Sequence, residues 1–244
     1  FYGDIFSATK LMTYLNDKTE YYKRYNLGLF DTDYDEIVES ATGDSPTKSG
    51  ALLGTIIHKL FEHIHLVKQP DNYINQLIKG IVLEPDDLAL LKTQLNTYTH
   101  TFLTSDKTAF IRNASQQFRE YKITLKIENN YFTGTLDLIA LDGDEWKVID
   151  YKTNAVTPIN YKHVAKKYHI QMESYAFLLS KLFPDQHVFP VSLYFLQIDT
   201  FYTIRYTREE LLRYETHLKE TIKDIIKTEQ KIYNISTEEN GVNS

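Results

Sequence analysis

Apolar side chains recur at helical spacing through the first part of the chain. The pattern predicts a helix from Ser7 to Tyr25, with Ser7 as its N-cap, and a stronger helix from Gly50 to Leu66. Two more helices are expected over residues 71–79 and 85–104. Between the first two helices, residues 31–50 are acidic and carry serine, threonine, glycine and proline, a composition typical of an exposed loop.

From Gln117 onward the spacing of apolar side chains changes to the period of two that is typical of strands. Three strands are predicted in succession, over residues 118–128, 131–141 and 146–153. The turns between them are predicted at Asn129-Asn130 and at Asp142-Gly143-Asp144. The three strands should therefore form an antiparallel meander.

The last part of the chain alternates between helix and strand. A helix is predicted over residues 161–182, a strand or hairpin over 191–205, and an amphipathic helix over 209–231. The order of elements predicts an α/β (α+β) domain. It should have a central mixed sheet that includes the antiparallel meander, helices that flank the sheet, and a helical N-terminal region.

Composition narrows the classes of protein further. A chain of 244 residues can bury a core without disulfides, and 42% hydrophobic with 25% charged residues is typical of a soluble globular protein. There is no apolar run near the ~18 residues that a membrane span needs. The absence of cysteine excludes disulfides, zinc–thiolate sites and iron–sulfur clusters, and agrees with a cytoplasmic location. The chain begins with Phe1 instead of Met, as expected for a piece of a longer protein.

The net charge is −6, from 27 lysines and arginines against 33 acidic residues. A strongly basic chain would indicate general electrostatic adsorption to nucleic acid, and this chain is not of that kind. Its charge still allows a local basic patch, or an acidic site that meets phosphate through metal ions.

Two carboxylates and a lysine stand in the middle of otherwise hydrophobic strands, where an unpaired charge is costly to bury. Alternation along the strand places Asp150 and Lys152 on the same face. If Gly143-Asp144 are the central residues of the turn, Asp137 lies directly opposite Asp150, with Cβ atoms about 5 Å apart. With Asp142-Gly143 in the centre the two acids are diagonal neighbours on one face, and a three-residue loop would separate them.

Two carboxylates this close repel each other unless positive charge lies between them. Lys152 offsets part of the repulsion, and a divalent cation would offset the rest. Carboxylate oxygens suit Mg²⁺ or Mn²⁺. The alternative interpretation is a buried Asp–Lys ion pair with a purely structural role.

Further motifs accompany these two strands. They are Gly54 with His58 on an upstream helix, Gly134 with Asp137, Asp150-Tyr151-Lys152-Thr153, and Gln171 with Tyr175 on a downstream helix. Together they resemble the PD-(D/E)xK nucleases, in particular the RecB-like branch found at the C-termini of AddA-type (UvrD/Rep-like) helicase–nucleases. The resemblance covers residues 7–206, with all motifs in the family's order. Thr135 departs from the pattern, because the family often has arginine or isoleucine there.

The resemblance implies a restriction-endonuclease-like core and assigns roles to residues. Metal ligands would be His58, Asp137, Asp150 and the backbone carbonyl of Tyr151, and the catalytic residues would be Asp137, Asp150 and Lys152. Gln171, Tyr175 and Glu120 would bind substrate or support the site. Residues 1–115 would form the helical region that carries the metal-ligand histidine, 116–233 the nuclease core, and 234–244 a disordered tail. Together these would make one integrated nuclease domain.

The same resemblance implies an Mg²⁺- or Mn²⁺-dependent deoxyribonuclease of the exonuclease type, active in DNA end processing and double-strand break repair. Its partners would be single-stranded DNA or a duplex end, a helicase region N-terminal to it in the same chain, and a second subunit, but no membrane. The alternatives are a catalytically inactive nuclease-fold domain that serves a helicase as its DNA-binding or interaction domain, and an RNA-cleaving or endonuclease member of the superfamily.

Other features add less. Lys162, Lys166 and Lys167, with His163 and His169, place positive charge after the catalytic strand, although such a run is usually a solvated face. His63 and His65 are expected to be exposed, and with His58 they share no helical face that would suit zinc. Residues 43–49 lack the second glycine of a phosphate-binding loop, so no ATP site is expected.

Overall fold

The computed structural model of the protein describes residues 3–29 and 48–241. The exposed loop predicted over residues 31–50 lies outside the described residues, apart from its last three residues, which belong to a helix. Within the described residues, no helix combines the length and the apolar character that a membrane span requires.

The first predicted helix is in fact two helices, α1 (Ala8–Asn16) and α2 (Lys18–Tyr25). Ser7 caps α1 as predicted, because its hydroxyl accepts a hydrogen bond from the backbone N–H of Lys10. Asp17 interrupts the helix in an extended conformation, and its carboxylate accepts bonds from the first N–H groups of α2. The break follows from the preference of aspartate for the N-cap over the helix interior.

Among the described residues, the next four helices before the main strands are α3 (Lys48–His63), α4 (Pro70–Leu77), α5 (Pro85–Thr104) and α6 (Ala109–Arg112). Proline occupies the first position of α4 and of α5, where its fixed φ favours helix and its missing N–H costs nothing. The apolar stripe of α3 is buried as the spacing predicted, through Leu53, Ile57, Leu60 and Phe61.

Six strands of the described part of the chain form one mixed sheet. They are β1 (Ile5–Ser7), β2 (Gln117–Ile127), β3 (Asn130–Asp142), β4 (Glu145–Lys152), β5 (Val188–Phe195) and β6 (Thr200–Thr207). The antiparallel meander β2–β3–β4 is confirmed, while β1 pairs with β3, and β5 with β4, in parallel. Strand β1 was not predicted, because three residues are too few to show a period.

The remaining helices are α7 (Tyr161–Ala165), α8 (His169–Leu182) and α9 (Arg208–Gly241). A 3₁₀ turn, Lys166–Tyr168, separates the first two, which the sequence predicted as one helix. Helix α9 continues to Gly241, whereas the sequence placed its end at Lys231. Of the disordered tail predicted over residues 234–244, residues 242–244 lie outside the described residues.

Two hydrophobic clusters cover the sheet. Helices α1, α8 and α9 contribute to one cluster, and α3, α5 and α6 contribute to the other. On β4, Val148 belongs to the first cluster and Ile149 to the second, as strand alternation requires. The fold class predicted from the sequence, a mixed sheet flanked by helices, is confirmed.

Candidate active site

The site lies where β3 lacks a neighbour on one of its edges. β2 follows the other edge along most of β3. On this edge β1 pairs with β3 as far as Thr133, and β4 pairs with it only from Leu138 onward. Among the described residues, positions 134–137 therefore have no partner strand there, and a gap opens in the sheet. Helix α3 can reach this gap from one face and α8 from the other.

Asp150 and Lys152 project from β4 on the same face, as alternation predicted. The Asp150 carboxylate oxygen Oδ2 lies 2.8 Å from Lys152 Nζ. Only 1% of Asp150 and 4% of Lys152 is exposed. Burial raises the pKa of Asp150 to about 6, although the Lys152 ammonium group opposes this, and Asp137 raises it further.

Asp137 stands in line with Asp150. The last pair of the β3–β4 ladder is Leu138 with Ile149, and Asp142 pairs with Glu145 across the Gly143-Asp144 turn. This confirms the first of the predicted registers, in which the two acids are opposite each other. Asp137 is 6% exposed, and its Oδ2 accepts a hydrogen bond of 2.8 Å from the backbone N–H of Tyr151.

His58 reaches the acids from α3. Its Nδ1 lies 3.3 Å from Asp137 Oδ2 and 3.6 Å from Glu120 Oε1. Burial lowers the pKa of the imidazole, but Asp137, Glu120 and Asp150 outweigh this and raise the pKa to about 11. At neutral pH the ring is therefore a cation between the carboxylates.

Two contacts fix α3, and with it His58, against the strands. The Tyr151 ring is buried edge-on against the Phe61 ring, with centroids 4.8 Å apart. The Arg119 side chain on β2 donates a hydrogen bond of 2.7 Å from Nη1 to the backbone carbonyl of Phe61, three residues beyond His58. Both contacts hold α3, whose apolar side chains belong to the second hydrophobic cluster, in place beside the site.

Glu120 is closer to the centre than the sequence indicated. The pairs Arg119–Leu138 and Tyr121–Leu136 bracket Glu120 and Asp137, so the two acids face each other across the β2–β3 ladder. Glu120 has φ +46°, a left-handed backbone conformation that is uncommon for glutamate and common at functional sites. The ligand atoms of His58, Glu120 and Asp137 lie within 4.8 Å of one another.

These residues fit a divalent cation on chemical grounds. The set offers one imidazole nitrogen and several carboxylate oxygens, which suit Mg²⁺ or Mn²⁺. Asp150 Oδ2 is buried, and its contact of 2.8 Å with Lys152 Nζ is an ion pair. A carboxylate has two oxygens with about four lone-pair sites, so Asp150 can still offer one of them to a cation. The role of the Tyr151 carbonyl as a ligand stays a prediction.

A cavity of about 630 Å³ opens over these side chains. The other predicted residues, Gln171 and Tyr175 on α8, also line it. Gln171 Nε2 donates a hydrogen bond of 2.9 Å to the Tyr175 hydroxyl oxygen. Burial raises the pKa of Tyr175, so its hydroxyl keeps its proton and remains a donor. Gly134 and Thr135 line the same cavity.

Of the other candidates, His63 and His65 are exposed, as the sequence predicted. Lys162, His163 and Lys166 are also exposed, on the segment that leads into Tyr168 and Gln171 at the cavity. Positive charge therefore lies on the chain segment next to the acidic site.

One family model and one crystal structure match most of the chain. A family model for the PD-(D/E)XK nuclease superfamily matches residues 5–236 of the chain. The crystal structure of a protein from Eubacterium rectale, described as a "putative exonuclease", has a TM-score of 0.58 and 12% identity, covering 93% of this chain and 82% of that one. At this identity the match shows a similar fold alone.

Two other comparisons give no information about the fold or the function. A crystal structure of the protein SSO0001 has 13% identity and covers 80% of this chain and 83% of that one, but its TM-score is only 0.31. A search of curated proteins found no match.

Proposed function

Because the chain belongs to the PD-(D/E)XK nuclease superfamily, we propose that it is a metal-dependent deoxyribonuclease that hydrolyses phosphodiester bonds. One observation carries the proposal. Asp137 on β3, Asp150 and Lys152 on β4, and His58 on α3 line one cavity. Three buried charges are expensive to maintain, and a purely structural ion pair would not need the second acid.

His58, Glu120 and Asp137 would hold the cation on one side, and Asp150 on the other. A divalent cation bound there would lower the pKa of a water molecule and offset negative charge in the transition state. Mg²⁺ or Mn²⁺ would suit the oxygen-rich donor set. His58 must first release the proton that it carries between the carboxylates, since a nitrogen lone pair is needed for a ligand bond.

The other side chains would act on the substrate directly. Lys152 Nζ would donate hydrogen bonds to the attacking water and to the phosphate oxygen on which negative charge develops. The Tyr175 hydroxyl, which accepts its bond from Gln171, can donate its own proton towards a phosphate oxygen. These donors lie on the α8 side of the cavity, across from His58.

DNA is the proposed substrate. The exposed lysines before α8 offer a path for a phosphate backbone in a chain whose net charge is otherwise negative. Exonuclease-type processing of DNA ends, with a helicase region of the same chain and a second subunit, is supported by the sequence resemblance to AddA-type enzymes. A role in double-strand break repair has the same support.

A cleavage assay tests the proposal. Linear and circular DNA, single- and double-stranded, and RNA of the same sequence would be incubated with Mg²⁺, Mn²⁺ or EDTA. We expect metal-dependent release of nucleotides from linear DNA, and loss of that release in Asp137→Ala, Asp150→Ala and Lys152→Ala. Asp144→Ala, in the exposed turn of the same hairpin, is the matched control and should stay active.

Each of the other outcomes has a definite meaning. Full activity of Asp150→Ala would refute the proposed site. DNA binding without cleavage by the unchanged protein would favour an inactive binding module. Cleavage of circular DNA or of RNA would indicate an endonuclease or a ribonuclease of the same superfamily.

A further inference from the structure

Tyr168 is an aromatic residue of the cavity wall to which the sequence motifs assign no role. It ends the 3₁₀ turn between α7 and α8, and its side chain is fully buried. Its ring lies under Lys152, with Nζ 4.3 Å from the ring centroid. Its hydroxyl donates a hydrogen bond of 3.0 Å to Asn154 Oδ1. Tyr168 therefore contacts the chain on the strand β4 and again just beyond the end of that strand.

A contact with the face of a ring bears directly on the position of Lys152. A lysine side chain has four rotatable bonds and about 2 kcal/mol of rotamer entropy, so its ammonium group is not held by the backbone alone. The acid at 2.8 Å, Asp150, is also a proposed metal ligand. A cation bound to Asp150 would offset the negative charge of the carboxylate and so weaken its attraction for the Lys152 ammonium group. An attraction that does not depend on Asp150 would keep the ammonium group at the cavity.

The face of an aromatic ring supplies that attraction. Its negative quadrupole attracts a cation within about 6 Å, and the interaction is strongest where water is excluded. Both conditions hold here, since Tyr168 and Lys152 are buried. The hydrogen bond to Asn154 ties the ring to the segment that follows Lys152.

We propose that Tyr168 is a positioning residue, which holds the Lys152 ammonium group at the cavity through the face of its ring. The inference rests on the proposed function, in which Lys152 donates to the reacting groups. It makes two separate claims, one about the place of Lys152 and one about the rate of cleavage.

Cleavage kinetics test the second claim. Tyr168→Leu removes the ring, and we expect kcat to fall by roughly 2- to 30-fold, the range that one cation–π contact supplies. KM for DNA and the affinity for Mn²⁺ should change less than about twofold. Tyr168→Phe keeps the ring and loses the hydroxyl with its bond to Asn154, so it should restore most of kcat. A merely structural role would instead lower the amount of folded enzyme and leave the kcat of the folded fraction unchanged.

Nuclear magnetic resonance tests the first claim without any cleavage. In protein labelled with ¹³C-lysine, the ε-CH₂ signal of Lys152, assigned by its absence in Lys152→Arg, should be shifted upfield by the ring. The shift should persist in Tyr168→Phe and disappear in Tyr168→Leu. Tyr161→Leu is the matched control, because Tyr161 is an aromatic residue of the same segment that contacts Phe195 instead.

The outcomes distinguish the proposed nuclease function from the proposed placement of Lys152 by Tyr168. A protein that cleaves nothing but shows the ring-dependent shift would refute the proposed function and keep the placement of Lys152. An unshifted Lys152 signal in the unchanged protein, or normal kcat in folded Tyr168→Leu, would overturn the proposal. Should the leucine variant unfold, Tyr168→Met provides a flexible side chain without a ring, and the same two measurements apply.

Discussion

Replacing Lys152 with methionine should destabilise the protein strongly at pH 8. The change leaves the Asp150 carboxylate buried without the ammonium group that lies 2.8 Å from it. Removal of one member of a buried ion pair typically costs about 3–5 kcal/mol in the free energy of unfolding. Asp137 acts in the same direction, because its charge also disfavours the ionised form of Asp150.

The loss should depend on pH in a definite direction. Burial, reinforced by Asp137 and opposed by Lys152, raises the pKa of Asp150 to about 6. A carboxyl group with a raised pKa favours folding while it is protonated. That contribution is full below pH 4 and is lost as the pH rises through 6. Without Lys152 the pKa rises further, so at pH 5 the buried carboxyl is protonated and the penalty shrinks.

Urea unfolding in EDTA, followed by the fluorescence of Trp146, measures the effect at pH 8 and at pH 5. The double variant Asp150→Asn with Lys152→Met should recover most of the loss at pH 8, since it removes both charges. Lys181→Met is the control, because its ion pair with Glu215 is partly exposed and worth at most about 1 kcal/mol. An unchanged stability of Lys152→Met at pH 8, or an equal loss of stability at both pH values, would show that Lys152 does not compensate the charge of the buried Asp150 carboxylate.

Three further predictions concern the metal and the substrate. Because the pKa of His58 is raised to about 11, Mn²⁺ binding at pH 7.5 should release about one proton. Calorimetry in buffers of different ionisation enthalpy would detect this proton, and a binding enthalpy that does not depend on the buffer would contradict the prediction. Glu120→Gln should weaken Mn²⁺ binding at least roughly tenfold, whereas Glu62→Gln, on the cavity wall, should change it less than twofold; equal effects would argue against Glu120 as a ligand. Lys166→Glu should weaken binding of single-stranded DNA in Ca²⁺ and lower the salt slope by at least about 0.7, while exposed Lys79→Glu should not; identical slopes would exclude a phosphate contact at Lys166.

The sequence predicted those parts of the site that depend on regular geometry. Asp150 and Lys152 share a face because strand alternation is strict, and Asp137 joins them because a two-residue turn sets the register. Gly143 has φ +61°, which the turn requires and glycine adopts without strain. The helical stripe of α3 likewise predicted which of its residues are buried.

The rest depends on backbone irregularities that no periodic pattern reveals. Asp17 divides the first helix, and the first hairpin turns at Glu128-Asn129, one residue earlier than Asn129-Asn130. This shift of one residue in the turn places Glu120 opposite Asp137. The left-handed φ of Glu120 within a strand cannot be predicted from the spacing of residues. The gap in the sheet beside β3 depends on a three-residue strand that pairs over a long sequence separation.

The central claim is that side chains from α3, β2, β3 and β4 hold one divalent cation above the catalytic lysine. Anomalous diffraction from crystals soaked in Mn²⁺ would test it most directly. We expect a peak within ligand distance of His58, Glu120 and Asp137, on the side that faces Asp150, and no such peak in Asp137→Ala. A clear map with no peak among these side chains, or a peak that persists in the variant, would show that they do not form a metal site.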